Sequence, residues 1–164
     1  MYKFVTHTWN PLGGKCPHGC SYCSTGKLMR WPAMQEKYSG EVRLYEKELK
    51  TNLGSGRFIF VCAQHDLFAE VVPDEYINKI LSHCAKHDGN KYLFQSKNPG
   101  RMNAWLRLSQ QRGQIDSVVC TTIETNRFYP EIMRSSPPPG IRAKMMSADQ
   151  DLAHYVTIEP IMDF

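Results

Sequence analysis

The chain has no run of about 18 apolar residues, the length a membrane-spanning helix needs. Its first residues, Met1-Tyr2-Lys3-Phe4, do not form a secretory or transit signal. There is no basic arm: lysines and arginines are spread along the chain, and the net charge is only +4 with a pI of about 8.7. That balance permits a phosphate-bearing substrate without requiring one. There is no internal repeat, and low complexity is confined to Ser135-Ser136-Pro137-Pro138-Pro139-Gly140, which reads as a loop. Six cysteines in 164 residues, with no signal peptide, do not make a disulfide scaffold. The thiols are therefore expected to be reduced and the protein cytoplasmic.

Three of those cysteines crowd one stretch, Cys16-Pro17-His18-Gly19-Cys20-Ser21-Tyr22-Cys23, with spacing C-x3-C-x2-C. Three thiolates on one short loop can hold three irons of a cubane cluster. Iron–sulfur cubanes are usually closed by four cysteines, so a three-ligand loop leaves one iron open to a small molecule. Structural zinc normally shows a second, separated ligand pair. No such pair is present, but a zinc-shaped nucleic-acid-binding module remains the alternative reading. Cys62, Cys84 and Cys120 fall in apolar contexts and read as small core residues. His7, His65, His83, His87 and His154 lack metal-ligand pairing, and His83 and His87 read as surface. Trp9-Asn10-Pro11 should stiffen the approach to the loop, with Trp9 packed beneath a cluster.

Four later segments read as buried strands: 57–63, 91–95, 117–123 and 154–158. An opening strand is expected over 2–8. Near-continuous apolarity predicts parallel strands covered on both faces. Helical patterns lie between them: one capped by Ser39 and running to Asn52 with Val42, Tyr45 and Leu49 inward; one capped by Asp74 with Ile77, Ile80, Leu81 and Cys84 inward; one opened by Pro99-Gly100; and a short one near 131–134. Alternation of strand and helix predicts α/β architecture. A closed eight-unit barrel takes about 250 residues, so the expectation is an open partial (β/α) barrel of about five βα units. It would form one core domain over 1–164, with a C-terminal continuation expected to cover the exposed edge.

In such folds ligands sit at the carboxyl ends of the strands. There the chain turns polar: Gln64 and Asp66, then Ser96 and Lys97, then Thr122, Glu124, Asn126 and Arg127, then Glu159. Glu124 and Glu159 adjoin apolar strand residues and should be partly buried. A buried carboxylate needs a partner, which Lys97, Arg127 or a cationic ligand could supply.

The C-x3-C-x2-C loop after a first strand, with Tyr22 before the last cysteine, resembles the signature of the radical S-adenosylmethionine (SAM) superfamily, and the likeness covers most of the chain. A narrower resemblance is to the phage Gp37/Gp68-type radical SAM proteins. It rests on Trp9-Asn10-Pro11 before the loop, Asp66-Leu67-Phe68 after the second strand, and Ile158-Glu159-Pro160 late in the chain. The resemblance implies a [4Fe–4S] cluster on Cys16, Cys20 and Cys23, with the amine and carboxylate of SAM on the fourth iron. It implies reductive cleavage of SAM to methionine and a 5′-deoxyadenosyl radical that takes hydrogen from a substrate. Tyr22 would lie near the adenine. Residues 63–66 stand where the superfamily's Gly-Gly-Glu element meets the SAM amine. The glycines are absent, so Gln64 or Asp66 would take that contact. Ser96 and Lys97 would bind the SAM carboxylate, Glu124 and Glu159 ribose hydroxyls or substrate, and Thr122 would add a lesser polar contact. The implied partners are a flavodoxin- or ferredoxin-like electron donor and a nucleotide or nucleic-acid substrate.

Overall fold

The computed structural model describes residues 2–111, 113, 115–148 and 151–163; Met1 and Phe164, the ends of the expected domain, lie outside them. Strand β1 is His7–Trp9 and β2 is Leu12–Gly13. Helices α1 (Ser24–Leu28) and α2 (Pro32–Tyr38) follow, then β3 (Arg43–Leu44) and a 3-10 turn at Glu48–Lys50. The regular alternation begins with β4 (Phe58–Val61), α3 (Asp74–Ala85), β5 (Lys91–Gln95), α4 (Pro99–Gln111) and β6 (Asp116–Thr122). The short helix α5 (Pro130–Met133), α6 (Pro139–Ser147) and β7 (Ala153–Thr157) complete it.

Strands β1, β4, β5, β6 and β7 form one five-stranded sheet in that order, with every neighbouring pair parallel. The sheet is open, as the expected partial barrel requires. Side chains alternate across it. Ile59, Val61, Tyr92, Phe94 and Val119 face the helices and join Ile77, Ile80, Leu81 and Cys84 of α3 and Met102 and Leu106 of α4 in one core. These helix positions recur at the spacing that puts them on one face.

Among the described residues no helix covers the opposite face, contrary to the expectation from apolarity. Phe58, Phe60 and Val118 there are half-buried, and Leu93 and Cys120 are closed over chiefly by the N-terminal segment. Tyr2 stacks on Phe4 at 5.5 Å and on Phe60 at 5.9 Å, and both Tyr2 and Phe4 meet Tyr155 edge-on. On the edge strand β7, residues 153–156 are exposed.

The helix expected from Ser39 to Asn52 does not form. Ser39 ends α2, Gly40 takes φ +72°, and β3 pairs antiparallel with β2, Leu12 opposite Leu44. Val42, Tyr45 and Leu49 are half-buried through this non-local pairing instead of along one helix face. The proline stretch is not all loop, because Pro139 is the first residue of α6, where its missing N–H costs nothing. Asp74 is likewise the first residue of α3 and not its cap, which is Pro73. Trp9 packs on His83 (4.9 Å) and donates its indole N–H to the Glu48 carbonyl (3.2 Å). It therefore belongs to the helical side of the sheet and not to the space beneath the cysteines. His83, expected at the surface, is 7% exposed and bonds the Thr51 carbonyl.

Candidate functional site

The cysteine loop is built from the end of β2 onward. Gly14 adopts φ +89°, and a Cβ there would lie 2.1 Å from the Glu41 carbonyl oxygen, so only glycine lets the chain turn at this point. The Gly14 and Lys15 amides donate to the carbonyls of Lys37 and Gly40 at 2.8 and 2.9 Å. Further on, the Ser21 amide donates to the Ile132 carbonyl, the Ser135 amide to the His18 carbonyl, and the Cys23 amide to the Cys20 carbonyl. Helix α1 starts directly after Cys23.

Cys16, Cys20 and Cys23 all line one cavity of about 800 Å³ at the carboxyl end of the sheet. Cys20 is buried, its thiol 3.6 Å from the Met133 carbonyl, Cys16 is half-buried, and Cys23 is exposed. Burial pushes the Cys16 thiol up to about 11, while the backbone amides of His18 and Asp66 favour its thiolate. Among the described residues no three His, Cys, Asp or Glu side chains gather as ligands of a single ion. A cubane makes a different demand, since each thiolate caps its own iron. Three thiols of one loop on one cavity wall, facing room for a ligand, are a donor set of the right chemistry for such a cluster.

Tyr22, Gln64, Asp66, Ser96, Lys97, Thr122 and Glu159 line the same cavity. Their roles differ from the expectations in several places. Asp66 is 7% exposed and its carboxylate is spent inside the protein. Oδ1 accepts from Ser96 Oγ (2.7 Å) and the Phe68 amide (3.0 Å); Oδ2 accepts from His18 Nε2 (2.7 Å) and the Lys97 amide (2.8 Å). A carboxylate has about four acceptor positions, so Asp66 acts as a clasp between the cysteine loop and the ends of β4 and β5. Burial opposes its ionisation, but these donors outweigh burial and hold its carboxyl below the usual range. Ser96 is committed to the same clasp and also accepts from the Asn98 amide. Gln64 accepts from Thr25 Oγ1 at 2.9 Å, and Thr122 Oγ1 accepts from Gln95 at 2.8 Å.

Glu124 does not reach the cavity. It is fully buried, with Oε2 accepting from Arg142 Nη2 at 2.6 Å and Oε1 accepting from Lys97 Nζ, the Tyr22 hydroxyl and Arg142 Nη1. Burial works against its charge, but Arg142, Lys97 and Tyr22 bring its carboxyl down to about 2. Arg127, a candidate partner, pairs with Asp163 instead. Glu159, expected to be partly buried, is exposed at the cavity rim. Lys97 closes the network: its Nζ donates to the Tyr22 hydroxyl at 2.9 Å, lies 5.1 Å from the Tyr22 ring centre, and its side chain is 17% exposed. Burial and the adjacent Glu124 carboxylate raise the Tyr22 pKa, so its hydroxyl stays protonated.

Sequence reasoning missed Arg142, fully buried on α6, and the roles of His18 and His65. His18 had a signal in its place between two motif cysteines; Arg142 had none. His65 Nδ1 lies 3.2 Å from the Asp66 carbonyl, which only accepts, so Nδ1 carries the proton and Nε2 presents a lone pair. That Nε2 is buried with no hydrogen-bond partner among the described residues, and burial lowers the His65 pKa.

A family model described as a protein of unknown function, DUF5131, matches residues 2–163. No curated protein matches the sequence. Among solved structures, the chain is similar to a double mutant of spore photoproduct lyase with bound AdoMet and dinucleoside spore photoproduct. The TM-score is 0.59 at 12% identity, over 91% of this chain and 43% of that one. At that identity the likeness is one of fold, and this chain spans less than half the length of that protein.

Proposed function

The chain belongs to the DUF5131 family, and we propose that it is a radical SAM enzyme. The observation that carries this reading is the placement of the three thiols of the C-x3-C-x2-C loop on the wall of one cavity at the carboxyl ends of a parallel sheet. Cys16, Cys20 and Cys23 would hold a [4Fe–4S] cluster, leaving one iron for the amine and carboxylate of SAM. Such a cluster supplies the electron that cleaves SAM to methionine and a 5′-deoxyadenosyl radical, which takes hydrogen from a substrate carbon. The structural neighbour binds AdoMet, which supports SAM as the ligand. Free thiols fit a reducing, cytoplasmic setting, and among the described residues no helix is long and apolar enough to cross a membrane.

The chain's own residues prepare the site. The Lys97 ammonium, half-buried at the cavity wall, gives N–H groups to Glu124 and to the Tyr22 hydroxyl and has a third donor left, so a positive charge lies at the cavity wall. That charge attracts the SAM carboxylate. The Tyr22 ring, held by its hydroxyl on Glu124, offers a fixed face for the adenine. Gln64, oriented by Thr25, is the remaining candidate for the SAM amine, since Asp66 is spent. Glu159 at the rim is available to ribose hydroxyls or to substrate. Tyr2 and Phe60 make an apolar floor that keeps water from a reactive intermediate.

For the substrate we favour a nucleotide or nucleic acid. The neighbour's bound dinucleoside and the mild positive charge support this class. The motifs shared with the phage Gp37/Gp68-type proteins support a place near them, and a flavodoxin- or ferredoxin-type protein would deliver the electron. The test is anaerobic reconstitution followed by reduction with SAM present. The reading expects about four irons per chain and release of 5′-deoxyadenosine. Zinc as the sole bound metal, or an intact cluster that never yields deoxyadenosine under strong reductant, overturns it and favours a metal-shaped binding module.

A further inference from the structure

The Cys16–Cys20 arc contains a proline and a glycine with φ +61°, neither of which can anchor it through a side chain. Its apex is His18, which is 7% exposed and whose Nε2 stands 2.7 Å from Asp66 Oδ2. Asp66 is itself held by Ser96 Oγ and by the Phe68 and Lys97 amides. This side-chain contact, across 48 residues of sequence, ties the Cys16–Cys20 arc to the ends of β4 and β5, while Tyr22 on Lys97 ties the part of the loop after Cys20. Cys16 and Cys20, at the two ends of this arc, both line the cavity, and outer partners that fix ligands commonly tune a metal site.

We propose that His18 is a positioning residue: its ring N–H on Asp66 holds the arc between Cys16 and Cys20 against the ends of β4 and β5, which orders the loop before loading and sets the reduction potential of the bound cluster. The second half rests on the cluster reading above; the first half does not. The mechanism needs only a donor at the position of Nε2, so it operates at constant pH. Glutamine can extend an amide N–H to nearly the same point, whereas alanine cannot.

The experiment compares wild-type, His18→Ala and His18→Gln full-length chains at one pH. In the apoprotein, alkylation of Cys16 by iodoacetamide is followed by peptide mass spectrometry. Losing a buried hydrogen bond to a carboxylate should open the loop and speed alkylation in His18→Ala on the order of tenfold. His18→Gln should return close to the wild-type rate. In reconstituted protein, spectroelectrochemistry should give a displaced midpoint for His18→Ala at equal iron content, again restored by His18→Gln. Wild-type values in His18→Ala overturn the proposal, as do values for His18→Gln displaced as far as those for His18→Ala. If His18→Ala does not fold, folded His18→Gln decides alone: wild-type rate and midpoint support the role, displaced ones overturn it. If the wild type itself takes up no cluster, the functional reading fails, while the alkylation comparison still decides whether His18 orders the loop.

Discussion

Arg142→Met removes the guanidinium from Glu124 and nearly preserves side-chain volume. The structure sets the size of the effect. Arg142 and Glu124 are both fully buried, and the arginine also donates to the Pro137 and Thr122 carbonyls. Breaking a buried ion pair by deleting one partner typically costs about 3–5 kcal/mol. Arg142, Lys97 and the Tyr22 hydroxyl together bring the Glu124 carboxyl from its ordinary 4.5 to about 2 against burial, about 3 kcal/mol for the network as a whole. For a chain of this size the loss of the ion pair is a fall in Tm of roughly 6–20 °C. Because the carboxyl is depressed in the folded state, its contribution is complete above about pH 4.5 and is lost as the pH falls toward 2. Thermal unfolding of the apoprotein by circular dichroism, repeated from pH 7 down to pH 3, measures both. Arg142→Met should lower Tm at neutral pH and flatten the acid limb. The double variant Glu124→Gln with Arg142→Met should lose at least about 1 kcal/mol less than the sum of the single variants. A Tm for Arg142→Met within about a degree of wild type, or an unchanged acid limb, refutes the reasoning.

Cys20→Ala should abolish the colour and iron content of reconstituted protein, whereas Cys84→Ala, deep in the helical core, should keep both and cost on the order of 1 kcal/mol; iron analysis and visible absorbance decide, and the reverse pattern refutes the ligand assignment. Lys97→Met should weaken SAM binding to the reconstituted protein by about tenfold or more, measured by calorimetry, because a charge-assisted contact to the carboxylate is lost. Gly14→Ala should destabilise the apoprotein by more than about 1 kcal/mol in urea unfolding, since the added Cβ meets the Glu41 carbonyl and φ +89° disfavours alanine.

The sheet was legible in the sequence because its strands carry their own signal. The apolar runs predicted β4 to within two residues at either end, β6 and β7 to within one, and matched β5. Helices α3 and α4 were legible for the same local reason. The segment between the cysteine loop and β4 was not. Val42, Tyr45 and Leu49 have helical spacing, but what buries them is a two-residue ribbon with β2, some thirty residues earlier, and Arg43 spends its guanidinium on the carbonyls of Glu36, Lys37, Ser39 and Glu41. The first strand was expected at 2–8 but pairs only from His7 to Trp9, because residues 2–5 are used to cover the open face of the sheet.

At the site, residue types at strand ends brought Gln64, Ser96, Lys97, Thr122 and Glu159 to one cavity with the cysteines. Which of them are free to bind was not legible. That depends on partners distant in sequence, such as His18 on Asp66 and Arg142 on Glu124. A buried arginine on a helix that begins inside a proline stretch leaves no local mark.

The most direct test of the central claim is electron paramagnetic resonance of the reduced, reconstituted protein with and without SAM. The account predicts a [4Fe–4S]⁺ signal in the wild type whose g-values shift on adding SAM, because one iron is not held by the chain. A signal indifferent to saturating SAM, or a loop that binds zinc and gives no such signal, would contradict it.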